Sequence, residues 1–237
     1  MNSLSNAKRG YVPEDERNFS QSAIKLLRKA SSHVEYLINE GYELRQAVTF
    51  VGNHFLLSER QRLAVMRSVA TREQLDDREN KRVPVTELAG KDIWIDGFNT
   101  IITLEVLESD SILFECMDGT IRDLAALRGT YRIIPETRHA VNTLFTMLEN
   151  LKVSKVTILL DEPVSNSGRL KTLIAEAGES CSFSLDIQIQ KDVDRTLYGK
   201  ENVMTSDSII LDRCRSWVNV TAEIMKQKSK YGLRVWE

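Results

Sequence analysis

Three aspartates each follow a short apolar stretch that has the composition of a β-strand. They are Asp96, Asp161 and Asp207, which come after the strand-like stretches at 92–95, 156–160 and 202–204. In an open α/β sheet, ligands bind at the carboxyl ends of strands near the point where the strand order reverses, so we expect the three carboxylates to lie together. Neighbouring carboxylates repel one another and resist ionisation, and a hard divalent cation relieves that repulsion. The pattern therefore predicts a Mg²⁺ or Mn²⁺ site in which these three aspartates are ligands and catalytic residues.

Each aspartate taken singly has a simpler interpretation as a turn residue, because aspartate commonly follows a strand. The occurrence of three such residues favours the site. Asp212 lies shortly after Asp207 and is a candidate fourth metal ligand, with a solvated helix residue as the alternative. Glu105 and Glu162 are further candidates of the same kind.

The segment 163–169 follows Asp161 and opens a predicted helix. Small polar residues and a guanidinium at a helix start can donate hydrogen bonds to a phosphate, which predicts a substrate-binding loop. An ordinary helix cap accounts for the same pattern. The candidates in the loop are Ser165, Asn166, Ser167 and Arg169. Two further candidates for substrate binding are Arg122 and Asn99, of which Asn99 could instead orient Asp96.

Composition indicates a globular protein that works in water. The chain has 237 residues, of which 42% are hydrophobic and 28% are charged, as in ordinary soluble domains. No apolar run approaches the roughly 20 residues that span a bilayer, and the polar start lacks a signal-peptide core. We therefore expect a cytoplasmic protein without a membrane partner. The 3 cysteines contain no close pair, which predicts reduced, packed thiols.

The first part of the chain predicts a small helical module at 18–80. Apolar residues recur at helical spacing from about Ser20 to Gly41, again from Leu44 to Phe55, and after Ser58, which forms a capping box with Gln61. Residues 1–84 hold 14 Lys and Arg against 11 Asp and Glu, whereas residues 85–237 hold 18 against 23. A basic module beside an acidic domain suits a nucleic-acid enzyme, although solvated helix faces explain the same balance. The outward arginines of the third helix are Arg60, Arg62 and Arg67.

The charge-dense segment near 76–88 predicts a domain boundary, and the periodicity changes beyond it. Strand signals at 92–95, 156–160, 183–189 and 202–204 alternate with helical patterns, which predicts an α/β domain at 88–237 with a mostly parallel sheet. Strict alternation at 182–190 predicts an edge strand or one solvated face. Residues 100–107 suit either a strand or a helix, and the pattern leaves both open.

The acidic motifs resemble those of the PIN and NYN nuclease superfamily. The residues that carry this resemblance are Asp96-Gly-Phe-Asn99, the strand-end Asp161 and Thr205-Ser-Asp207. A wider set, within roughly residues 20–225, is similar to the prokaryotic family of domain of unknown function 434 with its PIN-like C-terminal part. That set comprises Val51-Gly-Asn-His-Phe55, Gln61-Arg62, Arg67, Asp96-Gly-Phe-Asn99, Arg122-Asp123, Pro163-Val-Ser-Asn-Ser-Gly168 and Thr205-Ser-Asp-Ser208.

The superfamily implies a three-layer α/β/α fold and cleavage of RNA by acidic residues with Mg²⁺ or Mn²⁺. On this chain the resemblance places those acids at Asp96, Asp161 and Asp207. Two departures concern this pattern: Ile209 stands where the NYN pattern often repeats an aspartate, and the usual mid-domain acid is not identifiable between Glu105 and Asp123. Weakened metal binding, or binding without cleavage, is therefore an alternative.

Three functions follow as hypotheses from these patterns. The first is a metal-dependent endoribonuclease that hydrolyses phosphodiesters, with RNA as its partner. The second is a non-catalytic RNA-binding or regulatory protein that keeps the PIN-like fold. The third is a metal-dependent phosphatase that acts on a small phosphate ester.

Overall fold

A computed structural model describes residues 8–125 and 129–236. The chain begins with helices and continues as strands alternating with helices. The helices are α1 Asp15–Asn18, α2 Gln21–Asn39, α3 Leu44–His54, α4 Glu59–Ser68, α5 Arg72–Lys81, α6 Gly97–Glu108, α7 Pro135–Asn150, α8 Ser167–Gly178, α9 Val193–Leu197, α10 Ser208–Arg213 and α11 Val220–Gln227. The strands are β1 Arg82–Val83, β2 Asp92–Asp96, β3 Phe114–Glu115, β4 Ile121–Arg122, β5 Lys155–Asp161, β6 Ser184–Gln190, β7 Val203–Met204 and β8 Trp217–Val218. None of the described helices is long and apolar enough to cross a bilayer.

The predicted helices of the N-terminal module are confirmed, together with their ends. Ser20 caps α2 by accepting a hydrogen bond from the backbone of Ala23. Ser58 and Gln61 form the predicted capping box at the start of α4, which satisfies backbone N–H groups that the helix itself leaves unpaired. Gly41 follows α2 with a φ of +89°, a conformation that favours glycine and ends the helix.

The charge-dense segment around residues 76–82 is the helix α5 and not an irregular linker. Its Arg78 side chain is only 2% exposed and contacts Asp118 and Asp212 at 2.7 Å each. The apolar core of α2, α3 and α4 also includes Phe114, Leu124 and Val235 from later in the chain. The helical module therefore packs directly against the rest of the protein through buried apolar and charged side chains.

The main sheet has six parallel strands in the order β1-β8-β7-β2-β5-β6. Chain order runs outward from β2 through β5 to β6, and then resumes on the other side of β2 with β7 and β8. The strand order therefore reverses between β2 and β7, which is the position where open α/β sheets bind ligands. The prediction of a mostly parallel α/β sheet is confirmed, and β6 lies at the predicted edge.

Helices cover both faces of this sheet, because successive residues of a strand point to opposite faces. Ile95, Ile158 and Met204 belong to the core on the side of α6, α7, α8 and α11. Trp94, Leu159 and Val203 pack on the opposite side with residues of α9 and α10. Strands that are buried on both faces explain the near-continuous apolar runs that the sequence shows.

The ambiguous stretch at 100–107 is helical and belongs to α6. Most of its residues are buried, including the polar Thr100, Thr103 and Glu105, so the helix is enclosed on all sides and its sequence carries no amphipathic stripe. Gly97 opens the helix against β5, where an added Cβ would lie 2.6 Å from the Leu159 carbonyl oxygen. This close approach of backbone to backbone requires glycine directly after Asp96.

Candidate active site at the strand ends

The three predicted acids lie at the carboxyl ends of three neighbouring strands. Asp96 ends β2, the central strand of the three, and Asp161 ends β5 beside it. Asp207 follows β7, which pairs with β2 on its other side. The register aligns Asp96 with Leu159, two residues before Asp161. The sequence pattern therefore brings all three carboxylates to the point where the strand order reverses.

Asp96 is the buried member of this group, with 6% of its surface exposed. Its Oδ2 accepts a hydrogen bond from the Thr205 hydroxyl at 2.8 Å. Burial raises the pKa of Asp96 to about 7, although the Thr205 bond opposes the change and the carboxylates of Asp207, Asp161 and Asp194 add to it. A buried carboxylate whose neighbours are acids is a group that a cation would stabilise.

Asp207 is held in place by the segment that contains it. Its Oδ1 accepts from the backbone N–H groups of Ile209 and Ile210, which caps α10. The Thr205 hydroxyl oxygen accepts from the Asp207 N–H at 3.0 Å while the hydroxyl donates to Asp96. Thr205 therefore couples the positions of the two acids, a role that its place in the motif Thr205-Ser-Asp207 did not reveal.

Asn99 orients this same segment and not Asp96. Its Oδ1 accepts from the Ser206 backbone N–H at 2.9 Å and from the Ser206 hydroxyl at 3.0 Å. Because the oxygen has two donors, the amide orientation follows from the hydrogen bonds. Asn99 thus connects the first turn of α6 to the residue beside Asp207.

The group contains a fourth acid, Asp194, which the sequence analysis did not identify. Asp194 lies in the first turn of α9, and its pKa is raised by burial and by the carboxylates of Asp207 and Asp192. The pKa of Asp161 is likewise raised, by burial and by Asp194 and Asp192, although a backbone hydrogen bond opposes the change. The signal was present, since Asp192 and Asp194 follow the strand β6 just as the other acids follow theirs.

The polar residues of the loop after β5 are engaged in holding the loop. Ser165 Oγ exchanges hydrogen bonds with the backbone of Tyr131, and Asn166 Nδ2 donates to the Tyr131 carbonyl at 2.7 Å. Ser167 Oγ donates to the Asp161 carbonyl at 2.8 Å. Arg169 is exposed and makes no ion pair within the described ranges. Of the four loop candidates, Arg169 alone presents a side chain without a structural partner of this kind.

Arg122 occupies a buried position in which each nitrogen of its guanidinium makes a hydrogen bond. Its Nε donates to the Ser206 carbonyl at 2.8 Å, its Nη2 contacts Asp118 at 2.7 Å, and its Nη1 donates to the carbonyl of Arg67. A guanidinium with a carbonyl or carboxylate partner on each nitrogen positions the backbone, and substrate binding by Arg122 stays a prediction. Arg122 fixes the segment beside Asp207.

Asp212 is directed to the helical module and not to the other acids. Its carboxylate accepts from Arg78 Nε at 2.7 Å and from Gln74 Nε2 at 3.1 Å. The carboxylates that act on Asp96 are those of Asp207, Asp161 and Asp194. Asp212 therefore forms an ion pair between α10 and α5, and its role as a fourth metal ligand stays a prediction. Glu105 is similarly engaged, by Arg9, Tyr131 and Thr137.

The module arginines hold backbone carbonyls. Arg60 pairs with Asp15 and donates to the carbonyls of Gly10 and Leu124 at 2.7 and 2.8 Å. Arg62 donates to the carbonyls of Leu57 and Thr49 at 2.9 and 3.2 Å. Arg67 donates through Nη1 to the Asp123 carbonyl, and its side chain remains 34% exposed. Arg60 and Arg62 are thus structural, whereas Arg67 faces solvent beside the strand ends.

The donors at this edge are carboxylate oxygens, which are the ligands that Mg²⁺ and Mn²⁺ prefer. Over residues 8–125 and 129–236, no group of three or more His, Cys, Asp or Glu side chains is arranged to hold a metal ion. Magnesium is commonly held through one or two carboxylates, with waters and substrate phosphate completing its shell. The chemistry of Asp96 and its neighbours fits that kind of site, since Asp96 lies among carboxylates and the one side chain that bonds it within the described residues is the Thr205 hydroxyl.

Fold and site together define an α/β protein with an acidic site where its parallel strand order reverses. The chain belongs to the family described as Domain of unknown function (DUF5616), which matches residues 85–223. Residues 26–81 match a second family, described as Protein of unknown function (DUF434). The resemblance to domain 434 is thus confirmed for the helical module, and the α/β part matches DUF5616.

The chain is also similar to Uncharacterized protein MJ0935 of Methanocaldococcus jannaschii. The two are 33% identical over 206 residues, which cover 86% of this chain and 99% of that protein. No solved structure matches the chain at a significant level. The relative therefore shares both the helical module and the α/β part.

Proposed function

We propose that the protein is a metal-dependent ribonuclease of the PIN and NYN type that hydrolyses phosphodiester bonds in RNA. The observation that carries the proposal is the environment of Asp96. This carboxylate is buried at the reversal of strand order, it has a hydroxyl as its side-chain partner, and burial with neighbouring acids raises its pKa to about 7. Perturbed carboxylates of this kind concentrate at functional sites.

The candidate metal ligands in this proposal are Asp96, Asp161 and Asp207, of which one or two would bind the ion directly while waters and substrate phosphate complete its shell. A bound Mg²⁺ or Mn²⁺ would supply Lewis-acid stabilisation of the phosphate and activation of water. Asp194 supplies a further carboxylate close to Asp207 and Asp161. Asp194 follows β6 in the chain. It lies after the interval between Glu105 and Asp123, in which the mid-domain acid of the superfamily pattern is not identifiable.

The remaining residues of the site act by positioning. Thr205 holds Asp96 and the backbone of Asp207 in a fixed relation. Asn99 accepts hydrogen bonds from the N–H and the hydroxyl of Ser206, and Arg122 donates to the Ser206 carbonyl. Because small displacements of catalytic groups reduce rates strongly, these contacts matter for activity without touching substrate.

The test is cleavage of end-labelled single-stranded RNA oligomers with Mn²⁺ and with a chelator. The Asp96→Asn protein is expected to lose cleavage by roughly 100-fold or more, because the change keeps volume and removes an anionic ligand. The matched control is Asp186→Asn, which alters a half-buried carboxylate on the edge strand β6 that bonds Gln188. The control should cleave at the wild-type rate.

Three results contradict the proposal. Binding of RNA without cleavage in Mn²⁺ identifies a non-catalytic RNA-binding protein. Hydrolysis of small phosphate esters, with RNA oligomers left intact, identifies a phosphatase. Equal cleavage by wild type and Asp96→Asn also removes the metal-site argument.

A further inference from the structure

A cavity of about 250 Å³ lies between the helical module and the strand-end acids. Leu44, Met66 and Arg67 form its wall on the module side. On the α/β side it is lined by Asn99, Arg122, Asp123, Ser206, Asp207 and Ser208. Asp207 therefore belongs both to this cavity and to the candidate metal site. A ligand in the cavity would lie directly beside the acids and would touch both parts of the protein.

The cavity wall combines apolar side chains with unused hydrogen-bond donors. Arg67 uses only Nη1, in its hydrogen bond to the Asp123 carbonyl and in its 3.7 Å contact with the Asp123 carboxylate. Its Nε and Nη2 have no hydrogen-bond partner among the described residues. The Oδ1 of Asn99 is occupied by Ser206, and its amide Nδ2 makes no hydrogen bond within the same ranges. Leu44 and Met66 supply the apolar contact surface.

This combination suits one unit of a nucleic-acid chain. A guanidinium with two free N–H groups binds a phosphate through paired, charge-assisted hydrogen bonds. An apolar surface accepts the face of a base, and an amide donor can bond a base edge or a sugar oxygen. The volume of about 250 Å³ lies below that of sites for drug-sized ligands, so the cavity is too small to hold a duplex.

We propose that this cavity, whose wall includes Leu44, Met66, Arg67 and Asn99, binds the unpaired nucleotide next to the scissile phosphate, with Arg67 holding a phosphate of the RNA backbone. The inference rests on the proposed function, because it takes RNA as the substrate. It goes further in giving the helical module a direct part in substrate binding. Recognition in this cavity favours single-stranded RNA, since a base must leave its stack to enter it.

The first experiment measures binding separately from cleavage. Fluorescence anisotropy of a labelled single-stranded RNA oligomer is recorded in chelator, with Asp96→Asn as the background so that RNA stays intact. Adding Arg67→Gln should weaken binding about tenfold and lower the slope of log affinity against log salt by roughly one. Arg60→Gln is the matched control, because Arg60 also holds backbone carbonyls but does not line the cavity. It should leave both quantities unchanged.

The second variant leaves the Arg67 contacts intact and fills the cavity. Leu44→Trp adds volume at a half-buried wall position, and it should weaken single-stranded RNA binding about tenfold or more with an unchanged melting temperature. Leu26→Trp, on the exposed side of α2, is its control. A duplex of the same sequence should bind more weakly than the single strand to the unfilled protein.

Two outcomes overturn this proposal whatever the cleavage assay shows. One is equal RNA affinity for Leu44→Trp and the background protein. The other is the absence of measurable RNA binding by the background protein. If binding behaves as expected while Mn²⁺-dependent cleavage is absent, the nucleotide cavity stands and the ribonuclease proposal fails. The two proposals are therefore separable.

Discussion

Two buried aspartates in this protein have opposite electrostatic surroundings. Asp96 at the end of β2 has acids for neighbours, and burial raises its pKa to about 7. Asp118, in the turn between β3 and β4, is buried as well, yet Arg122, Thr120 and Arg78 lower its pKa below the usual value despite that burial. Burial is common to both residues, so the difference comes from the partners that the fold supplies.

This comparison separates a structural carboxylate from a functional one. Asp118 pairs at 2.7 Å with both Arg78 and Arg122, which joins α5 to the segment carrying Ser206. Its charge is compensated within the protein itself. Asp96 lacks a cationic partner among the described residues and retains an unfavourable charge, as expected for a group whose counter-charge arrives with a ligand.

The largest stability effect is expected at the compensated acid. Asp118→Asn should lower the free energy of unfolding by about 3–5 kcal/mol, because it leaves two buried guanidinium groups short of a charged partner. Urea denaturation at pH 7 measures the change. The control is Glu176→Gln, which breaks an exposed pair with Arg138 and should cost at most about 1 kcal/mol. If Asp118→Asn lowers the free energy of unfolding by less than about 1 kcal/mol, the contrast between Asp118 and Asp96 is contradicted.

The opposite sign is expected at Asp96. In chelator at pH 8, Asp96→Asn should raise the free energy of unfolding by about 2 kcal/mol, because the ionised carboxylate is disfavoured and the amide oxygen can still accept from Thr205. The gain should shrink as pH falls and approach zero only below about pH 4, where Asp96 is neutral in both the folded and the unfolded wild-type chain.

The sign follows from the two pKa values of Asp96. The ordinary value is 3.8 and the folded value is about 7. As pH rises from about 4 to 7, the unfolded chain releases this proton while the folded chain keeps it, so the contribution of Asp96 to stability is lost over that range. Urea denaturation of wild type and variant at pH 5, 6, 7 and 8 checks this, and a difference that is constant with pH contradicts the raised pKa.

A smaller effect is expected in thermal melts with and without Mn²⁺. Wild type should gain several degrees from millimolar Mn²⁺, since a ligand that binds the native state stabilises it by mass action. Asp161→Asn should melt higher than wild type in chelator, because the pKa of Asp161 is raised by burial and neighbouring acids. It should also lose most of the Mn²⁺ gain. If Asp161→Asn melts at a lower temperature than wild type in chelator and gains as much from Mn²⁺ as wild type does, Asp161 is a structural turn residue.

The smallest effect is expected at Asp212, which pairs with Arg78 and has a side chain that is 33% exposed. Asp212→Asn should cost about 1 kcal/mol in urea denaturation, because Arg78 keeps its pair with Asp118. The gain in melting temperature from Mn²⁺ should equal that of wild type. Loss of that gain would restore Asp212 as a metal ligand.

Local patterns sufficed for much of the architecture. Periodicity and caps predicted α2, α3 and α4, and the apolar runs predicted β2, β5, β6 and β7. These features depend on neighbouring residues along the chain, as in the capping box of Ser58 and Gln61. The stretch at 100–107 stayed ambiguous because a helix buried on all sides has no amphipathic period, so only its surroundings choose between helix and strand.

By itself the sequence determined that Asp96, Asp161 and Asp207 follow strands, and hence that they share an edge of a parallel sheet. Only the tertiary structure decided which charges meet. Arg122 contacts Asp118 and Ser206, Asp212 contacts Arg78, and Asp194 joins the strand-end acids. Strand ends are local features of the chain, whereas ion pairing depends on strand order and helix packing between residues as far apart as 134 positions. Those long-range contacts are set by burial of the whole core, which no local spacing encodes.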